Sequence, residues 1–257
     1  MPDGTHAMVE GFDRAAEAYE RSRPEYPAEA VRHLASELGI GPGRSVLDLG
    51  AGTGKFTRAL GPTGARLLAL EPTAGMRAIL RRQLPAVPLV EGTAEAIDLP
   101  DGAVDAVVSA QAFHWFDAAR ASVEVARVLR PEGGLGLVWN LRDESVPWVA
   151  ELTRILDRRD TGLPRGRSMA WRGPLEASGK FGPVHAAEFR FDQHFDLEGM
   201  LDRVRSISFI AMLPESDREQ VLGEVRELLD RSPEAHVGGH LVLPYRTHVF
   251  WARRRPA

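Results

Sequence analysis

Cysteine is absent from the 257-residue chain, which excludes disulfides, thiolate zinc sites, iron-sulfur clusters and every mechanism that needs a thiol nucleophile. Long apolar runs are missing too: nothing approaches the roughly 18 residues of a membrane span. The opening Met1-Pro2-Asp3-Gly4 has neither the basic nor the apolar region of a secretory signal. A cytoplasmic protein with no membrane partner is the expectation. There is no excess of positive charge; a net charge of -4 leaves no footprint for nucleic acid, which is held through clustered Lys and Arg on phosphates. The one dense basic run, Arg253-Arg254-Arg255, reads as a solvated tail. His185, His194, His236, His240 and His248 are scattered with no helical pair, so no metal site is expected. The length suits a single α/β domain with an insertion.

Along the chain, Phe12 to Arg21 reads as a short helix stopped before Pro24, because a residue preceding proline is pushed out of the α region. Tyr26-Pro27 opens a second helix with Val31, Leu34 and Leu38 on one face and Gly39 as its left-handed cap. Short apolar runs then alternate with helical patterns. The runs are Ser45 to Leu49, Arg66 to Leu70, Val87 to Val90, Val104 to Ser109 and Leu135 to Trp139; Phe56 to Leu60, Ala74 to Leu84 and Asp117 to Leu129 lie between them. Apolar runs without strict alternation, separated by helices, predict parallel strands buried on both faces in a doubly wound, Rossmann-like sheet.

Beyond Asn140 the rhythm changes. A helix is expected near Val149 to Arg159, a strand ending near Phe195, a helical stripe from Leu197 to Ile207, a helix opening with the capping-box pattern Ser216-Asp217-Arg218-Glu219, and a last strand over Leu241 to Trp251. The expected organisation is an N-terminal helical cap over 1–40 and a main domain over 41–257, with 143–180 and 196–232 as lid or insertion segments.

Chemistry concentrates in Asp48-Leu49-Gly50-Ala51-Gly52-Thr53-Gly54 between the first strand and its helix. A bare-backbone turn at a helix start is a general nucleotide device, and spacing selects the ligand. The dinucleotide fingerprint needs a third glycine where Lys55 stands, and the P-loop needs a glycine at Leu49 and a hydroxyl residue at Phe56. An acid just before the turn repels a pyrophosphate but suits the α-ammonium of an amino-acid-bearing ligand such as S-adenosylmethionine. Glu71, at the end of the second strand and about 20 residues further on, can accept hydrogen bonds from both hydroxyls of a ribose.

With these residues in view, the sequence resembles the class I S-adenosylmethionine-dependent methyltransferases, in particular a small-molecule group that includes trans-aconitate methyltransferases. The similarity is carried by Val46 to Gly54, Leu70-Glu71-Pro72, Gly92-Thr93-Ala94-Glu95, Asp105 to Ser109, Phe113-His114-Trp115, Arg127 to Pro131 and the opening Phe12-Asp13 to Tyr19 with Arg23-Pro24-x-Tyr26-Pro27. It is strong over about 10–140 and weak beyond. The resemblance implies a seven-stranded sheet with its last strand antiparallel. It implies a cofactor set of Tyr19, Arg23, Asp48, Gly50, Ala51, Gly52, Thr53, Gly54, Glu71, Pro72, Met76, Thr93, Ala94, Glu95, Ala110 and Gln111. Tyr19 and Arg23 would close over the methionine part, Met76 would pack near adenine, and Ala94 and Glu95 would lie along its edge. Related sequences commonly have Asp at Thr93, so the adenine amino contact falls to the Thr93 hydroxyl or to Glu95.

Methyl transfer from a sulfonium is an in-line displacement that depends chiefly on positioning, with a base needed only when the acceptor carries a proton. His114 is the candidate base, and Tyr26, Phe113, His114 and Trp115 are the candidate acceptor contacts; aromatic faces suit a sulfonium. A core role for the aromatics and a backbone-bonded His114 stand as the alternative. Cytosine carbon-5 methylation is excluded by the missing cysteine, and adenine amino methylation by Ala110-Gln111-Ala112-Phe113 where an Asn/Asp-Pro-Pro-aromatic turn is required. A small-molecule acceptor is therefore expected, with S-adenosylhomocysteine as product. A non-catalytic binder of the same cofactor, and an enzyme acting on tRNA or protein, are the competing readings.

Overall fold

The computed structural model describes residues 20–159 and 166–256. Among these residues, seven strands form the path of the main sheet: β1 (Ser45–Leu49), β2 (Arg66–Leu70), β3 (Leu89–Val90), β4 (Val104–Ala110), β5 (Leu129–Arg142), β6 (His185–Phe195) and β7 (His240–Arg253), in the order 3-2-1-4-5-7-6. A two-residue strand, His236–Val237, pairs antiparallel with β7. Strands β1 to β5 are mutually parallel, with Leu47 of β1 set between Leu68 and Val107. Strand β7 runs the other way: Arg254 N donates to Gly133 O while Asp143 N donates to Pro244 O, so one strand ascends as the other descends. This is the expected seven-stranded sheet with a reversed last strand.

Burial follows from the connections. Strands β1 and β4 are buried almost without break, as crossover strands covered on both faces must be. Helix α1 (Ala28–Leu38) precedes β1, and the crossovers supply α2 (Lys55–Leu60), α3 (Ala74–Gln83) and α4 (Ala118–Val128). Strand β6, at the sheet edge, instead alternates exposed and half-buried residues. Helix α1 ends as its sequence predicts, at Gly39 with φ 64°. Of the helix expected over Phe12 to Arg21, only the end lies in the described residues, where 20–22 are helical.

The chain divides into two compact units. Among the described residues, a sheet unit takes 25–140, 166–189 and 247–256; a helical unit takes 20–24, 141–159 and 190–246. Each has its own apolar core. In the sheet unit Leu34, Val46, Phe56, Val108, Val138 and Val249 pack together. The helical unit contains α5 (Pro147–Asp157), while α6 (Arg172–Ala177) belongs to the sheet unit. Helices α7 (Leu197–Arg205), α8 (Ser208–Ala211) and α9 (Glu215–Asp230) complete the helical unit. Its core is built from Leu152, Leu201, Ile210, Leu222, Val225 and Tyr245. The segment expected as one lid, 143–180, is thus shared between the units, and of the expected cap the residues from Glu25 onward belong with the sheet.

Three departures from expectation have a visible local cause. Helix α9 opens at Glu215, with Pro214 in the cap position and its carbonyl accepting from Arg218 N at 3.0 Å; Ser216 therefore lies inside the first turn and makes no capping box. The stripe from Leu197 to Ile207 is helical only to Arg205, where Ser206 turns its hydroxyl back onto Arg203 O at 2.8 Å, and a separate helix starts at Ser208. Strand β5 starts at Leu129, six residues ahead of Leu135: its register against β4 shifts between Val104 and Ala106, and Glu132, at φ 66°, sits in that irregularity.

Candidate functional site

The carboxyl ends of β1, β2 and β4 define the site, all within the sheet unit. Gly50, Gly52 and Gly54 adopt φ of 71°, 59° and 88°, a region that disfavours side chains. The loop is hung from β2, since Gly50 N and Ala51 N both donate to Leu70 O, at 2.9 and 3.0 Å. A side chain at Gly50 would meet Ala112 Cβ at 2.7 Å and Phe116 Cζ at 3.0 Å, so the loop after β1 rests directly on the turn after β4. At Gly52 nothing lies within 4 Å of the position a Cβ would take. Its backbone is the open surface of the loop. Thr53 Oγ1 is enclosed and has no partner among the described residues.

Glu71 is the organising side chain. One carboxylate oxygen accepts from Gly52 N at 2.8 Å and the other from Thr73 N at 2.8 Å, which ties the end of β2 to the glycine loop. Burial raises its carboxyl above the usual range, opposed by the hydrogen bonds from Thr73 and Gly52. Asp48 lies under the loop, 2% exposed, and accepts from Thr57 Oγ1 at 2.6 Å. Burial pushes Asp48 up to about 7; the Thr57 hydroxyl acts against the rise, and the nearby Glu71 charge adds to it. Two buried acids at one sheet edge make a negative potential that suits a cationic ligand.

The remaining expected residues fall into distinct places. Met76 is buried on α3, and Pro72 is exposed. Thr93 and Ala94 form a hairpin in which Gly92–Thr93 pairs with Ala96–Ile97. Glu95 accepts from Asp117 N at 2.9 Å, so it anchors the start of α4. Ala110 and Gln111 are half-buried. Gln111 holds the left-handed φ of 57°, fixed by its N bonding Val138 O at 2.9 Å and its Nε2 bonding Asn140 O at 3.0 Å. Tyr26 meets Phe56 edge-on at 4.8 Å. Its neighbour Glu25 pairs with Lys55 at 2.8 Å and Arg58 at 3.0 Å. Arg23 lies in the helical unit and donates to Ser206 O at 3.1 Å. Tyr19 lies outside the described residues.

The turn Phe113–Trp115 carries His114. Trp139 Nε1 donates to His114 Nδ1 at 3.2 Å. An indole nitrogen only donates, so Nδ1 is the acceptor and the neutral ring carries its hydrogen on Nε2. Phe113, expected at the acceptor, is fully enclosed between Phe116 and Trp171; it supports the turn from behind and offers a ligand no surface. His114 and Trp115 keep partial exposure.

Residues 47–137 match the family model described as a methyltransferase domain. The chain is 42% identical over 240 residues to an uncharacterized methyltransferase of Mycobacterium tuberculosis, spanning 93% of this chain and 94% of that one. The chain belongs to the class I S-adenosylmethionine-dependent methyltransferases. An uncharacterized methyltransferase-like protein of Schizosaccharomyces pombe is 37% identical over 240 residues, covering 93% of each. Among solved structures, a putative methyltransferase from an antibiotic biosynthesis pathway of Anabaena variabilis superposes with TM-score 0.64 at 25% identity, over 89% of this chain and 98% of that one. Malonyl-[acyl-carrier protein] O-methyltransferase of Methylococcus capsulatus matches half of this methyltransferase, at 43% identity over 136 residues, and 47% of its own length.

Sequence reading overlooked Thr57, Asn140, Trp139 and Trp171. Asn140 donates to Glu25 O at 3.0 Å and accepts from Thr247 Oγ1 at 2.7 Å, so one amide joins the segment before α1 to β5 and β7. Trp171 stacks on Trp139 with ring centroids 5.2 Å apart. Each of these pairings links residues far apart in sequence, and no local pattern announces them. Only Thr57, in the first turn after a glycine loop, had a sequence cue.

Proposed function

We propose that the enzyme transfers the methyl group of S-adenosylmethionine to a small-molecule acceptor, with the cofactor lying along Gly50 to Gly54, Glu71 and the hairpin at Gly92–Ile97. The observation that carries this reading is the Glu71 carboxylate, held 2.8 Å from Gly52 N, where nothing lies within 4 Å of the position a Cβ would take. When bound, the cofactor supplies an electrophilic methyl on a cationic sulfur. Burial already disfavours charge on Asp48 and Glu71, and a neighbouring cation would restore it; that electrostatic match supports the fit. Thr93 is proposed to take the adenine amino contact, since Glu95 is engaged with Asp117 N.

His114 is proposed to face the acceptor. With Nδ1 accepting from Trp139, Nε2 presents a hydrogen and orients an acceptor oxygen or nitrogen by donating to it. Service as a base would require the Trp139 bond to open first, so the arrangement favours acceptors that need no proton removed. Trp115 is proposed to flank the acceptor, with the enclosed Phe113 bracing the turn. Acceleration then rests on positioning and the exclusion of water.

The reading is tested by calorimetry with S-adenosylmethionine, S-adenosylhomocysteine, a nicotinamide dinucleotide and ATP. Incubation with methyl-labelled cofactor and a metabolite extract treated with nuclease and protease then follows. Heat with the first two ligands only, and label in small molecules, is the expected result. Uptake of the nucleotides in their place would overturn it; tight cofactor binding with no labelled product would favour a binding protein, and label lost on nuclease or protease treatment would favour a macromolecular acceptor.

A further inference from the structure

Among the described residues of the helical unit, two arginines sit in or against its core with neutral hydroxyls as their hydrogen-bond acceptors. Arg203, on α7, is 6% exposed; its Nε donates to Tyr245 Oη at 3.0 Å, and its Nη1 makes a long 3.5 Å contact to Ser206 Oγ. Arg142, at the end of β5, donates from Nε to Thr153 Oγ1 at 3.0 Å. Each acceptor is a neutral hydroxyl. Glu144 and Asp157 act on Arg142 through space, but among the described residues neither arginine is ion-paired with a carboxylate. Arg23 adds a third guanidinium at the same corner through its bond to Ser206 O.

A guanidinium has five N–H donors, and the hydroxyls use one on Arg142 and at most two on Arg203. Arg142 is half-buried and Arg203 keeps 6% exposure, and Asp143 N donating to Pro244 O sets Arg142 beside Tyr245, the residue that holds Arg203. Burial, and after it the Arg203 charge, pull Arg142 down to about 10, so Arg142 stays cationic at neutral pH. Like charges brought together at the margin of an apolar core are costly unless a counter-charge arrives. The residues that fix them, Tyr245 at 1% exposure and Thr153 at 3%, are rigidly buried, which orients the two forks in advance.

We propose that Arg142 and Arg203, set by Thr153 and Tyr245, form an oxyanion site in the helical unit that takes the carboxylate or phosphate group of a small acid. Planar donor forks match such groups with paired hydrogen bonds.

The test is calorimetry on the full chain saturated with S-adenosylhomocysteine, titrating succinate in one arm and phenyl phosphate in the other, for the wild type and Arg203→Met. In parallel, the Nε–H signals of nitrogen-15-labelled arginine are followed in the wild type. Binding of at least one acid is expected, weakened about tenfold or more by Arg203→Met, with movement of the Arg142 and Arg203 signals and an unchanged heat with S-adenosylhomocysteine. Which arm binds identifies the oxyanion. If neither acid binds nor moves those signals while S-adenosylhomocysteine still binds, the oxyanion site is refuted and the cofactor reading stands. Equal acid affinity in Arg203→Met would also refute it. Should Arg203→Met fail to fold, the wild-type signals decide. An acid bound at these arginines in a protein that gives no heat with S-adenosylhomocysteine would instead keep the oxyanion site and remove the methyl-transfer reading.

Discussion

At the scale of single residues, the two buried acids make opposite demands. Glu71 satisfies two backbone donors, Gly52 N and Thr73 N, so Glu71→Ala orphans both as well as removing the proposed ribose acceptor. Hydrogen bonds to charged groups are worth roughly 1.5–3 kcal/mol, and S-adenosylhomocysteine should bind at least about tenfold more weakly by calorimetry. Asp48 bears on pH. Its carboxyl titrates at 3.8 without the fold and at about 7 within it, so the native state holds the proton more tightly. The stability this contributes is complete below pH 3.8 and is lost as pH rises to about 7, a few kcal/mol in all at ~1.4 kcal/mol per pH unit. In cofactor-free protein, the stability gain of Asp48→Asn over wild type should therefore grow between pH 5 and 8 in urea titrations; a constant difference across that range would contradict the assignment. His114→Ala should lower turnover while cofactor affinity holds, and unchanged turnover would remove His114 from the proposed reaction.

At the scale of elements, the hairpin before α4 is the tightest piece of backbone in the proposed site. A Cβ on Gly92 would stand 2.1 Å from Ala96 O at a φ of 113°. Gly92→Ala should cost about 2 kcal/mol or more and lower Tm by about 4 °C or more in a thermal scan. The elements of this half were largely legible in the sequence. Strands β1 and β4 advertise themselves by continuous apolar runs, and the glycine spacing and Glu71 locate the loop. The contacts that set side-chain chemistry were not legible. Trp139 reaches His114 across 25 positions, and Gln111 reaches Asn140 across 29; such pairings depend on strand order, which no local periodicity encodes. Phe113 illustrates the same limit, since an aromatic beside a candidate base looks alike in sequence whether it faces a ligand or the core. In the helical unit, Ser216 and Glu219 have the spacing of a capping box, yet Pro214 holds the cap position two residues earlier.

At the scale of the whole molecule, two cores in one chain divide the effects of mutation. Leu222 is fully buried in the helical unit, and Leu222→Ala should cost roughly 2–5 kcal/mol. Hydrogen exchange should register the loss in the amides of α5, α7 and α9 while β1 and β4 keep their protection; equal loss everywhere would mean that the units open together. The division into sheet and helical units was not legible, because the helical unit is assembled from three separated stretches of chain, each too short to show a core of its own.

The strand order carries a consequence for biosynthesis. Strand β7 is the last of the seven to be made, yet it lies between β5 and β6. On the ribosome, its two neighbours emerge first and must wait with bare edges facing a gap, a condition that invites mispairing and the attention of chaperones. Because β7 contributes residues to both units, neither is finished until β7 itself leaves the exit tunnel, and a nonsense codon before residue 240 would leave the nascent protein with two incomplete cores.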